Sequence, residues 1–316
     1  MGAVIMEHRA TLSDLIRQGA RVPHAVATLG AGLLGLGVVF WVAAHWAQWG
    51  RLAQFAWLQG AWLALCLGAA QRPAWRTPLA LVAFLVLGGM LAYFGQTYQT
   101  GADPWSLFAT WALLGLPLCL AVRRDGLWAG WALVALTGVS LWWQTWQGPM
   151  WRLASDAGPM AIASGVAVAI SLAVHPTLLP GWARWLGTGR WSWLTALLLT
   201  LVLMGTGAVL ALMGPNWAGP WVLSLGLLAM LMVVTLRVRP RDVAALSAQA
   251  LLVNVLLIGA LARLLFEGAR GGENGLFLLL GLAAMGLLAA SVSWILRWAR
   301  ADGLDSAART VSGGAA

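Results

Sequence analysis

The chain has 316 residues, of which 61% are hydrophobic and 9% charged, and a net charge of +9. Soluble domains carry roughly a quarter charged residues, so this composition excludes an ordinary soluble domain. The basic residues are all arginine and are spread over the loops, which assigns them to membrane orientation and predicts no nucleic-acid partner.

In chain order, the first segment is a cytoplasmic lead-in over residues 1–25. Within "ATLSDLIRQGARVP", Thr11 and Asp14 form a capping-box pattern, and Leu12, Leu15 and Ile16 share one helical face. This predicts a short amphipathic helix on the membrane surface. Glu7, Asp14 and Arg17 interrupt any signal-peptide core, so the first span is expected to remain in the mature protein.

About ten apolar runs follow, at 27–46, 52–70, 78–95, 104–122, 127–146, 157–175, 193–213, 218–236, 243–265 and 275–297. Each is long enough to cross a hydrocarbon core of ~30 Å. Only helices satisfy their own backbone there, and the short alternating segments of an outer-membrane barrel are missing. The predicted fold is an all-α polytopic bundle. It divides into one five-helix membrane region at 26–146, a second at 147–299, and a disordered tail at 300–316.

With the N-terminus inside, 15 arginines fall on the cytoplasmic side and 4 outside. That asymmetry predicts both termini in the cytoplasm. The abundant tryptophans cluster near the predicted helix ends, at the headgroup level.

Three local patterns bear on function. "GAGLLG" (Gly30 to Gly35) matches a dinucleotide fingerprint as a string, but no strand precedes it and no acid follows at the right distance. Ala27, Ala31 and Gly35 instead make a small-residue packing stripe. "GQTYQTGADPW" lies between spans three and four, on the predicted outer side. Asp103 and Pro104 read as N-cap and first helical residue, and Gly101 suits a turn. Gln96, Tyr98 and Gln99 have no such structural reason, and His45 falls at the same predicted depth. Two amides, Gln59 and Asn254, sit near mid-membrane and need an interior partner or water.

No Asp or Glu lies mid-span, and neither metal-ligand spacing nor a nucleophile–base pair is evident. The expectation is a protein that is not an enzyme and needs no cofactor or metal.

"GLGVVFWVAAHWAQWGRLAQFAWLQGAWLALCLGA" and "GGMLAYFGQTYQTGADPWSLFATWALLGLPLCLAVRRDGLWAGWAL" together resemble the bacterial predicted-membrane-protein family catalogued as domain of unknown function 2157. Members combine a small-small-His/Asn-Trp element, a Gly-Gln-x-Tyr element, an Asp shortly after, and a Trp in the next helix. Here these are Ala43, Ala44, His45 and Trp46; Gly95, Gln96 and Tyr98; Asp103; and Trp111. The resemblance covers about residues 10–146 and implies a multi-pass inner-membrane protein; it implies no activity.

Two functions follow as expectations. One is a carrier or binder of a small solute or lipid, through an outer vestibule of His45, Gln96, Tyr98 and Gln99 leading to Gln59 and Asn254. The alternative is a non-enzymatic scaffold or accessory subunit with a membrane protein partner. In either case the chain is expected to lie in the lipid bilayer of a bacterial inner membrane.

Overall fold

The computed structural model describes residues 48–98, 101, 103–146, 157–238, 241–267 and 273–313, with scattered positions between 30 and 44. The lead-in, the Ala27–Ala31–Gly35 stripe, His45 and Gln99 lie outside the described residues. Every described regular element is helical.

The α-helices are α1 (Arg51–Gln71), α2 (Arg76–Tyr98), α3 (Pro104–Val122), α4 (Asp125–Thr145), α5 (Ala157–Ala173), α6 (Pro180–Leu186), α7 (Arg190–Leu212), α8 (Ala218–Arg237), α9 (Val243–Phe266) and α10 (Glu273–Gly313). A single 3-10 turn, Pro73–Trp75, joins α1 to α2. Among the described residues eight helical segments are long and apolar enough to cross a membrane, and they coincide with eight of the runs read from sequence. The run at 157–175 becomes the shorter α5.

Two elements differ from the sequence reading. α6 was not foreseen, although Pro180 at its first position and Gly187 at its end are the usual boundary residues. Gly187 closes it at φ 72°, with its N–H donated to the Ala183 carbonyl at 2.8 Å. α10 runs to Gly313, through residues expected as a disordered tail. That stretch is alanine-rich and contains no proline, so nothing in it forces the helix to stop.

The chain forms two compact units: residues 1–103 with 110–131, and residues 104–109 with 132–316. In the first, α1 packs along α2. Gly88 of α2 lies against the Trp111 ring so closely that a β-carbon would collide with it. The Trp111 indole N–H donates to the Phe84 carbonyl at 2.8 Å, and the Trp131 indole to the Ala112 carbonyl at 2.8 Å. Phe84 and Cys119 are fully enclosed, while Cys66 is only partly buried.

Asp103 takes the predicted N-cap position before Pro104, but its side chain makes no capping hydrogen bond. Gly101 turns the chain at φ 60°. Arg123 ends α3 in the left-handed region, φ 53°, two residues before α4 begins.

In the second unit α7 is the central helix and touches α5, α8 and α9. Its buried face carries Leu197, Leu201, Met204 and Ala208, packed with Met160, Leu228 and Leu256. Gly207 allows this approach, since a β-carbon there would sit 2.9 Å from Met160 Cε. α10 packs on α9.

Some polar groups of this core bond between helices. Ser171 and Thr200 share a hydrogen bond of 2.8 Å, and Thr200 also donates to the Ala167 carbonyl. Gln249 Nε2 donates to Thr235 Oγ1 at 3.1 Å. The His175 ring is buried against Trp193, with Nδ1 accepting from the Leu178 N–H at 3.1 Å. Not every tryptophan forms an interfacial belt: Trp128, read as interfacial, is 3% exposed, and Trp221 donates to the Leu256 carbonyl at 3.0 Å.

Candidate ligand groove

The residues singled out from sequence fall in different settings. Gln96 and Tyr98 are exposed at the C-terminal end of α2. The Tyr98 ring leans on Phe94 (centroids 4.7 Å) and on Phe55 of α1 (6.3 Å). Gln59 is exposed on α1, and neither Gln59 nor Gln96 has a hydrogen bond among the described residues. The enclosed polar pair in this part of the chain is one the sequence did not flag. The Tyr93 hydroxyl donates to Gln54 Oε1, with both side chains buried.

Asn254 belongs to the second unit and is 4% exposed. Its Nδ2 donates to Ser291 Oγ at 2.9 Å, and Ser291 donates in turn to the Leu288 carbonyl at 2.9 Å. The amide therefore has the interior partner that its depth demands, and it ties α9 to α10.

The same amide lines an open groove of about 680 Å³ between α8, α9 and α10. α8 contributes Met232; α9 contributes Ala250, Val253, Asn254 and Leu257. α10 contributes Leu287, Ala289, Ala290, Ser291, Ser293, Trp294 and Arg297. This volume falls within the range of small-molecule sites, ~300–1,000 Å³. Along α10 the groove runs from Leu287 to Arg297, roughly 15 Å at 1.5 Å per residue. That is about half the thickness of a hydrocarbon core.

Charge is uneven around the groove. At one end stands Arg297, which is exposed. Arg241 lies over the Trp298 ring at 4.2 Å from its centre, and its Nε donates to the Leu236 carbonyl at 3.1 Å. The nearby acid, Asp242, is already engaged. It accepts from Arg190 Nε at 2.5 Å and Nη2 at 3.3 Å, and from the backbone N–H groups of Ala244 and Ala245 at the start of α9. Burial pushes the Asp242 carboxyl up, but Arg190 and the two N–H groups outweigh it and hold the group below its ordinary range. Among the described residues one end of the groove thus carries an arginine, and the rest of its lining is apolar apart from Ser293 and the Asn254–Ser291 pair.

A second cavity of about 520 Å³ lies between α7 and α9, lined by Val209, Leu212, Met213, Val255, Ile258, Gly259 and Arg263. Arg263 pairs with Glu267 at 3.2 Å, so its charge is matched. Among the described residues no three His, Cys, Asp or Glu side chains cluster as a metal site.

Sequence reasoning found Asn254 but missed its partner Ser291. It read Arg297 only as a marker of membrane side. The usable signal was Arg297 three residues after Trp294 and six after Ser291, which puts aromatic, basic and hydroxyl groups on neighbouring turns of α10.

No curated protein and no solved structure matches the chain. Residues 3–128 match the family model described as Predicted membrane protein (DUF2157), beginning before and ending short of the 10–146 stretch read from sequence. The N-terminal part of this multi-pass, all-helical membrane protein is therefore similar to that family, in line with the resemblance carried by its Gly95-Gln96 and Trp111 elements.

Proposed function

We propose that this protein binds a small membrane-borne solute or lipid, without chemistry on it, in the groove between α8, α9 and α10. The supporting observation is that groove itself: an apolar trough with Asn254 in its wall and an arginine at one end. In this reading the chain lies in a bacterial inner membrane with both termini cytoplasmic, and the groove opens in the cytoplasmic half. The outer vestibule of His45, Gln96, Tyr98 and Gln99, in the first unit, is a separate proposed site. It draws support from the aromatic cluster of Phe55, Phe94 and Tyr98.

The test is native mass spectrometry of the protein gently extracted from its own membrane. Wild type should carry a small ligand, and Ala290→Trp, which fills the groove from an exposed position, should lose it. A ligand kept by Ala290→Trp would refute this site.

A second reading, a scaffold or accessory subunit, draws on α10. Its most apolar window contains no buried residue, and Phe277, Leu278, Leu282 and Met285 are all exposed. A co-purifying protein with no small ligand would favour it.

A further inference from the structure

Three features of the groove bear on the class of its occupant. The first is length. From Leu287 to Arg297 the trough covers about one leaflet's depth, so it suits an acyl chain lying along α9 and α10 with its head at Arg297. The second is charge. Arg297 is exposed and has no partner among the described residues, Arg241 lies over the ring of Trp298, the next residue in the chain, and Asp242 is spent on Arg190. Among the described residues, the end that would receive a headgroup therefore carries positive charge. The third is the wall. Between Arg297 and the Asn254–Ser291 pair α10 contributes Trp294 and Ser293, and just beyond that pair it contributes Ala290 and Ala289, facing apolar α9 side chains. The indole belongs at the headgroup boundary, and the small residues leave room for a chain. Basic pockets between membrane helices are the usual receptors for anionic headgroups.

We infer that the occupant is an anionic phospholipid of the surrounding bilayer, with its phosphate at Arg297 and one acyl chain in the groove. This rests on the groove being a ligand site, and it adds the ligand's class. A zwitterionic phospholipid would bring the same phosphate but also a headgroup cation to an end that already carries an arginine, and a free soluble anion would leave the apolar trough empty.

The experiment uses the full chain in nanodiscs containing equal phosphatidylglycerol and phosphatidylcholine, followed by release into the mass spectrometer and counting of retained lipids. Wild type should retain phosphatidylglycerol in preference. Arg297→Gln should lower that preference about five-fold, the worth of one arginine at an anionic surface. Ala290→Trp should abolish retention of both lipids. Arg184→Gln, an exposed arginine on α6, should change nothing.

Equal retention of the two lipids by wild type, abolished by Ala290→Trp, would overturn the anionic class and leave the ligand site standing. An equal loss of preference in Arg184→Gln would also overturn it, by showing a diffuse basic surface. Retention indifferent to Ala290→Trp would bring down the site and the inference together.

Discussion

The Tyr93 hydroxyl and the Gln54 side-chain carbonyl, 39 positions apart in sequence, meet as a buried hydrogen bond between α1 and α2. Interhelical hydrogen bonds in membranes contribute about 0.6 to 2 kcal/mol. Tyr93→Phe should therefore destabilise the protein by about that amount. Gln54→Leu combined with Tyr93→Phe should cost less than the sum of the two single changes, because removing both partners leaves no orphaned group. Thermal unfolding in detergent checks this; additive losses would show that the two side chains do not act on each other.

Gly88 and Gly89 give a sharper contrast. They are neighbours on α2, but a β-carbon on Gly88 meets the Trp111 ring, whereas one on Gly89 meets nothing within 4 Å. Gly88→Ala should destabilise by about 1–3 kcal/mol through overpacking. Gly89→Ala should be neutral or mildly stabilising, since alanine is the better helix former. The same unfolding assay, run on both variants side by side, decides it.

These two cases show what the sequence could and could not reveal. Long apolar runs and the arginine pattern are local properties, so eight spans and their order were legible. Trp111 was also legible as a marked position, through the family resemblance. Its reason was not, because that depends on Gly88 coming within contact distance across two helices. Gln54 gave no signal, since a glutamine one turn into an apolar helix looks the same whether it faces a tyrosine or lipid. Gln59, which was flagged, is exposed. Asn254 was flagged as needing an interior partner or water. Ser291 supplies that partner, and the place of Asn254 in the groove wall could be seen only once α8, α9 and α10 were assembled.

Asp242 joins a helix cap to an ion pair. Its folded-state carboxyl is held below the ordinary value by Arg190 and two backbone N–H groups, against the opposing effect of burial. A depressed carboxyl contributes stability that is present above the unfolded-state value and lost as pH falls through the folded-state value. Stability should therefore decline below about pH 4, where an aspartate ordinarily titrates. Asp242→Asn should flatten that decline while keeping most of the cap. Asp242→Ala should lose the cap as well, about 0.5–2 kcal/mol. Unfolding midpoints from pH 7 to pH 3 would show these orders, and an unchanged acid slope in Asp242→Asn would assign the decline to other groups.

Asn254 and Ser291 should behave as a coupled pair. Asn254→Leu and Ser291→Ala should each cost about 0.6 to 2 kcal/mol, and the double variant little more than either one. A double-mutant cycle in detergent measures the coupling. The same variants separate structure from binding, because the Ser291→Ala change leaves Arg297 and the trough in place.

The most direct measurement is photocrosslinking from the groove in native membranes. A diazirine amino acid at position 290, which lines the groove and is exposed, should be activated in the full chain and the adduct weighed. A single adduct with the mass of one membrane lipid is expected, absent when the probe is moved to position 184 on α6. An adduct with another protein, or no adduct at all from position 290, would contradict a ligand-binding groove.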